Sequence, residues 1–265
     1  MTEIATPLDK ILQETLHQRG GFEFIGDPAL AMELQAESFF QYFEVSAHGK
    51  QTLVPGGSVA SQIQIWRGNN LVADSRKLLS LALPPRHAIW WALMSLVEAH
   101  RQKPYSPEVL QVIKQVRDFV LKPSERSRRL CREWGKKAGA ATVGRILGSA
   151  AFLAGGSMGP VDCPPMFPKP HLCGRLCGAV VYLASVRFNP TQYKLHLRHF
   201  LQIGLDIAYG RLPLPMLQEI PKEIAHQEIV HASAGWDASE LIPKETVSEQ
   251  IHAASRTPQA FVPLQ

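Results

Sequence analysis

The pentapeptide at residues 155–159, Gly-Gly-Ser-Met-Gly, fits the G-x-S-x-G pattern that presents a nucleophilic serine in hydrolases. The pattern works where a strand leads into the serine and a helix follows, because the sharp turn exposes the hydroxyl and the helix N-terminus supports an oxyanion. Here a helical pattern precedes Ser157, and five prolines follow it before residue 171. We therefore interpret the glycines as a helix C-cap that opens a rigid loop. A hydrolase centred on Ser157 is the alternative.

Three cysteines and a histidine between residues 163 and 177 have side chains that could bind a metal. Cys173 and Cys177 are four residues apart, so both thiols lie on one face of a helix. No C-x-x-C pair occurs, and the spacing to Cys163 and His171 fits no usual zinc pattern. A glycine follows each helical cysteine, which indicates close helix packing. We predict structural thiols with no metal and no cofactor; a metal-assisted enzyme centred on residues 155–177 is the alternative.

Basic residues concentrate between Arg101 and Arg145. This segment holds twelve lysines and arginines against four acidic residues, a net charge of +8, whereas the whole chain carries +5. Such a segment forms either a solvated face or a docking surface for an acidic partner. Nucleic-acid binding is the weaker alternative, because charge alone supplies only non-specific attraction and few aromatic residues are interleaved.

The string Leu-Pro-Pro-Arg-His-Ala-Ile-Trp-Trp-Ala at residues 83–92 is the most distinctive in the chain. Its prolines fix the entry into a helix, where no N–H donor is needed. Successive helical residues point about 100° apart, so we expect one of Trp90 and Trp91 to anchor the core and the other to bridge to a neighbouring helix or the surface. The helix dipole disfavours a cation at this end, so we expect Arg86 to have a carboxylate or carbonyl partner, or to stack on an indole.

Proline and glycine stand at the ends of segments with helical spacing, so we predict an all-α fold. We expect an irregular multi-helix bundle or superhelix with a long Pro/Gly-rich loop and an extended C-terminal tail. The predicted organisation is an N-terminal helical segment at 1–69, a helical core at 70–210 and a weakly structured tail at 211–265.

The N-terminal segment contains two predicted helices and one ambiguous stretch. Apolar spacing predicts a helix over residues 4–19, and Asp27-Pro28 predicts another that extends to Phe43. The alternation Gln-Ile-Gln-Ile-Trp resembles a strand, but no partner strand is evident. Residues 47–69 are therefore predicted to be irregular.

The composition is that of an ordinary globular protein, with 265 residues, 45% of them hydrophobic and 19% charged. The first residues lack a basic stretch followed by an apolar run, so no signal peptide is expected. No uncharged apolar stretch reaches the roughly 18–20 residues that a membrane span needs. The four cysteines are therefore expected to be reduced thiols in a cytosol.

Three strings together resemble an uncharacterised bacterial family of all-helical proteins with a Leu-Pro-Pro-Arg-x-Ala-x-Trp-Trp-Ala signature. They are residues 83–92, the Gly- and Pro-rich segment from Gly155 to Leu172, and Phe-Leu-Gln-Ile-Gly-Leu-Asp-Ile-Ala-x-Gly at 200–210. The resemblance covers about residues 70–210. It implies a bacterial protein, and such proteins are associated with type VI secretion gene clusters. It implies no activity and no catalytic residues.

We therefore predict a non-enzymatic helical adaptor or accessory protein that mediates protein–protein interaction, in a bacterial secretion system resembling type VI. The expected partner is a secretion effector or a component of the apparatus, and we expect neither nucleic-acid binding nor a membrane span. The expected location is the bacterial cytoplasm, with secretion by a signal-independent route left open. The residues expected to contact the partner are Arg86, His87, Trp90, Trp91, Arg126, Arg128, Arg129, Arg132, Ser157 and His171.

Overall fold

The computed structural model describes residues 27–160, 163–188 and 190–214. These residues form ten α-helices and two short 3-10 helices and contain no strand, so the predicted all-α fold is confirmed. The α-helices are α1 Pro28–Glu33, α2 Ala47–Gln51, α3 Val59–Gly68, α4 Val72–Ala82, α5 Pro85–Gln102, α6 Pro107–Leu121, α7 Glu125–Lys137, α8 Val143–Phe152, α9 His171–Phe188 and α10 Tyr193–Ala208. The 3-10 helices are Ala36–Tyr42 and Pro190–Gln192.

Helix α5 is the centre of the fold. Its buried residues form one unbroken run, from Ala88 to Ala99, which is typical of a helix covered on all sides. It packs most extensively against α9, and also against α10 and α6. Pro84 is its N-cap and Pro85 its first residue, so the predicted proline entry into the tryptophan helix is confirmed.

Short polar residues start several helices, and the start at Asp27 is as predicted. Asp27 Oδ1 accepts a hydrogen bond from Ala29 N at 2.8 Å and so caps α1. Ser124 and Ser127 form a capping box at the start of α7, in which each hydroxyl accepts the other residue's backbone N–H. A cap of this kind stabilises a helix by about 1 kcal/mol.

The prediction that residues 47–69 are irregular is wrong, because this stretch contains α2 and α3. The hydroxyls of Ser46 and Ser58 accept backbone N–H groups and start the two helices. The alternating string lies within α3 and has a helical pattern of burial. The side chains that α3 buries from that string are Gln62, Ile63 and Trp66.

The helix that Asp27 opens is also shorter than predicted. It ends at Glu33, and the next two residues are extended before the 3-10 helix Ala36–Tyr42 begins. Val59 N donates to Leu34 O at 2.8 Å. A hydrogen bond from the first residue of α3 therefore replaces the continued helical bonds that apolar spacing alone predicted.

Two glycines let α9 approach α4 closely. A side chain at Gly174 would collide with Ser80 O, and one at Gly178 would lie 2.7 Å from Ser80 Oγ. Arg76 in α4 also donates a hydrogen bond to Gly178 O. The close helix packing predicted from the Cys-Gly pairs is therefore confirmed.

Several predictions about the two ends of the chain are not addressed by the described residues. The helix predicted over residues 4–19 and nearly all of the predicted tail at 211–265 lie outside them. The division into segments at 1–69, 70–210 and 211–265 stays a prediction. None of the described helices is long and apolar enough to cross a lipid bilayer.

We expect Gly174→Ala to lower the free energy of unfolding by about 1 to 3 kcal/mol, because the added methyl group separates α9 from the backbone of α4. Gly68→Ala is the matched control, since Gly68 ends α3 and a Cβ there would meet nothing within 4 Å. Its effect should lie within about 1 kcal/mol of zero. Urea unfolding of the full chain measures both variants, and equal stabilities would contradict the close contact.

Candidate functional site

The two tryptophans of α5 are both buried. Trp91 Nε1 donates to Phe200 O in α10 at 2.7 Å. A Cβ at Gly204 would lie 2.6 Å from the Trp91 ring, so this glycine makes room for the indole. Trp90 is 2% exposed. Trp91 is thus the tryptophan that bridges to a neighbouring helix, as predicted, and both indoles belong to the core.

Arg86 holds the end of the neighbouring helix α6. Its Nε donates to Val120 O at 2.7 Å and its Nη2 to Leu121 O at 3.4 Å. Carbonyls of a last helical turn carry partial negative charge, so they suit a cation. The predicted carbonyl partner is confirmed. Burial, together with the charge of Arg86, lowers the pKa of His87 to about 4, so this imidazole is neutral near pH 7.

Arg128 in α7 is a fully buried arginine, 0% exposed. Its guanidinium donates to both carboxylate oxygens of Glu125, at 2.8 and 2.9 Å. It also donates to Phe152 O and, at 2.6 Å, to Ser157 O. The Phe152 ring centroid lies 4.4 Å from the guanidinium carbon. A buried charge is tolerated only when it is paired and hydrogen-bonded, and these contacts meet that requirement.

Arg129 extends the same contacts further along the loop at residues 155–170. Its Nη2 donates to Gly159 O at 2.9 Å, and its Nε donates to Glu125. Burial raises the pKa of Glu125, but hydrogen bonds and charges from Arg128 and Arg129 lower it by more, so the net shift is downward. Glu125 is therefore ionised at neutral pH and serves both arginines. We call Glu125, Arg128 and Arg129 the arginine clamp.

Ser157 organises the loop from within. Its Oγ accepts hydrogen bonds from Gly159 N and Met166 N, both at 3.1 Å. Met158 N donates to Met166 O at 2.7 Å, which ties two parts of the loop together. Gly156 has φ of 68°, the left-handed conformation of a glycine beyond a helix end. Residues 155–160 and 163–170 thus form a loop after α8, as predicted, and the Ser157 oxygen accepts two backbone N–H groups. The rigidity of this loop stays a prediction.

His171 and the paired cysteines lie on α9. The His171 ring stacks on Tyr42, with the ring centroids 4.5 Å apart. Cys173 and Cys177 are buried with their sulfurs 4.0 Å apart, and Cys173 Sγ lies 4.0 Å from Pro85 O at the start of α5. Burial, and then the neighbouring Cys173, raise the pKa of Cys177 well above its ordinary value, so it stays a thiol. Cys163 is exposed.

Titratable groups in the described part of the chain do not converge on a metal site. Across residues 27–160, 163–188 and 190–214, no three His, Cys, Asp or Glu side chains are grouped so that they could hold an ion. The four-residue spacing of the thiols serves the packing of α9 against α5.

The structure distributes the predicted contact residues over several places. Arg128, Arg129 and Ser157 meet at the loop, whereas Arg86 holds α6 and the tryptophans lie in the core. Arg132 packs on the Phe152 ring, and Arg126 is exposed. Glu125 was not among the predicted residues, although its position three and four residues before the two arginines is the spacing of helical ion pairs.

We expect Trp91→Phe to destabilise the protein by about 2 to 4 kcal/mol, because it leaves a cavity in the core and removes the hydrogen bond from the indole to Phe200 O. The same exchange at Trp134 is the matched control, since that indole is partly exposed on α7. Its cost should stay below about 1 kcal/mol. Thermal and urea unfolding followed by circular dichroism compare the two. A Trp91→Phe variant no less stable than Trp134→Phe would contradict the bridge to α10.

A comparison of the sequence with known proteins and family models matches the part of the chain that forms most of the helices. No curated protein and no solved structure matches the chain. One family model matches residues 63–208, more than half of the chain, and this stretch runs from α3 to the last residue of α10. The matched residues include the tryptophan helix, the arginine clamp and the loop at 155–170. The chain therefore belongs to DUF6931, a family of unknown function.

Proposed function

We propose that this protein is a non-enzymatic helical adaptor that binds a protein partner through the loop after α8, of which residues 155–160 and 163–170 are described. One observation carries the proposal: hydrogen bonds from Arg128, Arg129 and Ser157 hold the loop, and the loop still exposes apolar side chains. Met166 is 57% exposed and Phe167 49% exposed. The neighbouring Pro164 and Pro165 are exposed as well.

The way the loop is held supports a binding role. Arg128 and Arg129 bind its carbonyls, and Ser157 Oγ binds the amide of Met166 itself. A segment ordered before binding loses little conformational entropy when a partner docks, so more of the contact energy appears as affinity. Apolar side chains presented on such a loop are the kind of surface that protein partners cover.

The setting we propose is the bacterial cytoplasm, with a secretion effector or a component of the apparatus of a type VI-like system as the partner. The resemblance of residues 83–92, 155–172 and 200–210 to a bacterial family associated with such gene clusters supports this setting. All three strings lie in or beside the matched family segment.

The same contacts weaken the enzyme alternative. A nucleophilic serine needs a base at its hydroxyl, whereas Ser157 Oγ accepts two backbone N–H groups. Buried Cys177, with its raised pKa, lacks the thiolate that metal binding or nucleophilic attack requires. These contacts therefore favour a binding role for the loop over a catalytic one.

We expect Met166→Ser to weaken partner capture strongly, because it removes an exposed apolar contact without touching the core. The test is affinity purification of the tagged full chain after crosslinking in its native host. Leu195→Ser is the matched control, since Leu195 on α10 is 59% exposed and lies on another element.

A specific partner should be recovered with the unmodified chain and with Leu195→Ser. Its yield should fall by about tenfold or more with Met166→Ser. Recovery of no protein partner, or equal yields from both variants, would contradict the proposal.

A further inference from the structure

We infer that the partner-binding surface continues from the loop onto the exposed face of α7, and that it accepts an acidic protein segment with apolar anchor residues. This inference rests on the proposed function and specifies the chemistry of the partner. The observation that supports the inference is the burial of the α7 side chains, which fall into three groups: a buried set, the arginine clamp and an exposed stripe.

The exposed stripe of α7 consists of Arg126, Leu130, Glu133 and Lys137, and all four are exposed. Their spacing of i, i+4, i+7 and i+11 places them in one row along the helix. The buried residues Arg128, Cys131 and Gly135 occupy a different face. The stripe is therefore a continuous surface about three turns long, in which a cation stands at each end with one leucine and one carboxylate between them.

The clamp leaves a positive charge on this surface. Glu125 pairs with Arg128 and Arg129, so it does not neutralise the exposed cations. The exposed charged residues of α7 are three cations and one carboxylate: Arg126, Lys136, Lys137 and Glu133. The carboxylate of Glu133 pairs with Lys136 at 2.8 Å, and this pair is solvent-exposed and weak.

The loop and the stripe are linked through Arg129. Arg129 holds Gly159 O, and the Ser157 hydroxyl that binds Gly159 N also binds Met166 N. Leu130 directly follows Arg129 in the helix and is 38% exposed. The loop backbone and the exposed stripe thus both adjoin Arg129 of α7.

Charge and apolar content together favour an acidic protein segment over nucleic acid. A phosphate backbone would meet Glu133 and Leu130 inside the stripe, where it needs cations. Lys137 Nζ lies 4.4 Å from the centroid of the Trp134 ring, so a base would have to compete with this cation for that face of the indole. Carboxylates around apolar anchors instead complement both the exposed cations and Leu130.

The probe is a fluorescein-labelled peptide of about 16 residues with leucines at helical spacing and glutamates between them. Fluorescence anisotropy with the full chain should show binding that weakens by about tenfold or more between about 50 and 300 mM NaCl. Arg126→Glu combined with Lys137→Glu should weaken binding by about tenfold or more. Arg175→Glu combined with Lys194→Glu is the matched control, because it makes the same charge change at exposed positions of α9 and α10.

Three results would overturn the inference. One is equal binding of a peptide in which serines replace the leucines, and another is equal or tighter binding of a 16-nucleotide DNA strand, since both indicate general attraction to polyanions. The third is an equal loss of affinity in the two charge-reversal pairs. If cellular partner capture depends on Met166 but survives reversal at Arg126 and Lys137, this inference fails and the proposed function stands. If no partner is captured by any variant, the proposed function itself fails.

Discussion

The shape of the loop depends on one buried charge, the guanidinium of Arg128. A charge removed from water must be hydrogen-bonded, and Arg128 satisfies this need with Glu125 and the carbonyls of Phe152 and Ser157. Because Phe152 ends α8 and Ser157 begins the loop, the same bonds join α7, the end of α8 and the loop. Breaking one of them would leave a buried polar group unpaired, at a cost of about 1 to 3 kcal/mol.

Much of the fold follows from local chemistry that is visible in the sequence. Asp27-Pro28 and the prolines at residues 84 and 85 correctly predicted the starts of α1 and α5. The failure at residues 47–69 has a specific cause. Gln62 looks like a solvent-facing position in an alternating string, but it is buried and bonds Val54 N and Thr52 O, at 2.9 and 3.0 Å. Because a buried polar residue counts as an exposed position in the sequence pattern, the helical spacing of the buried residues could not be recognised.

The candidate site was harder to predict than the fold, because residue type does not reveal which arginines face inward. Arginine is almost never fully buried unless paired, so the basic run suggested a surface. A signal was nevertheless present: Arg128, Cys131 and Gly135 recur at i, i+3 and i+7, which is the pattern of a buried helix face. The loop carbonyls that receive the arginines could not be predicted, since they depend on tertiary contacts.

The central claim is that the arginine clamp holds the loop in one shape, and hydrogen exchange tests it most directly. In Arg129→Gln, the amides of Met158, Gly159 and Met166 should exchange about tenfold faster or more, because the charged contact to Gly159 O is lost. Arg126→Gln, an exposed position on the same helix, should leave these amides unchanged. Unchanged protection of the three amides in Arg129→Gln would contradict the account.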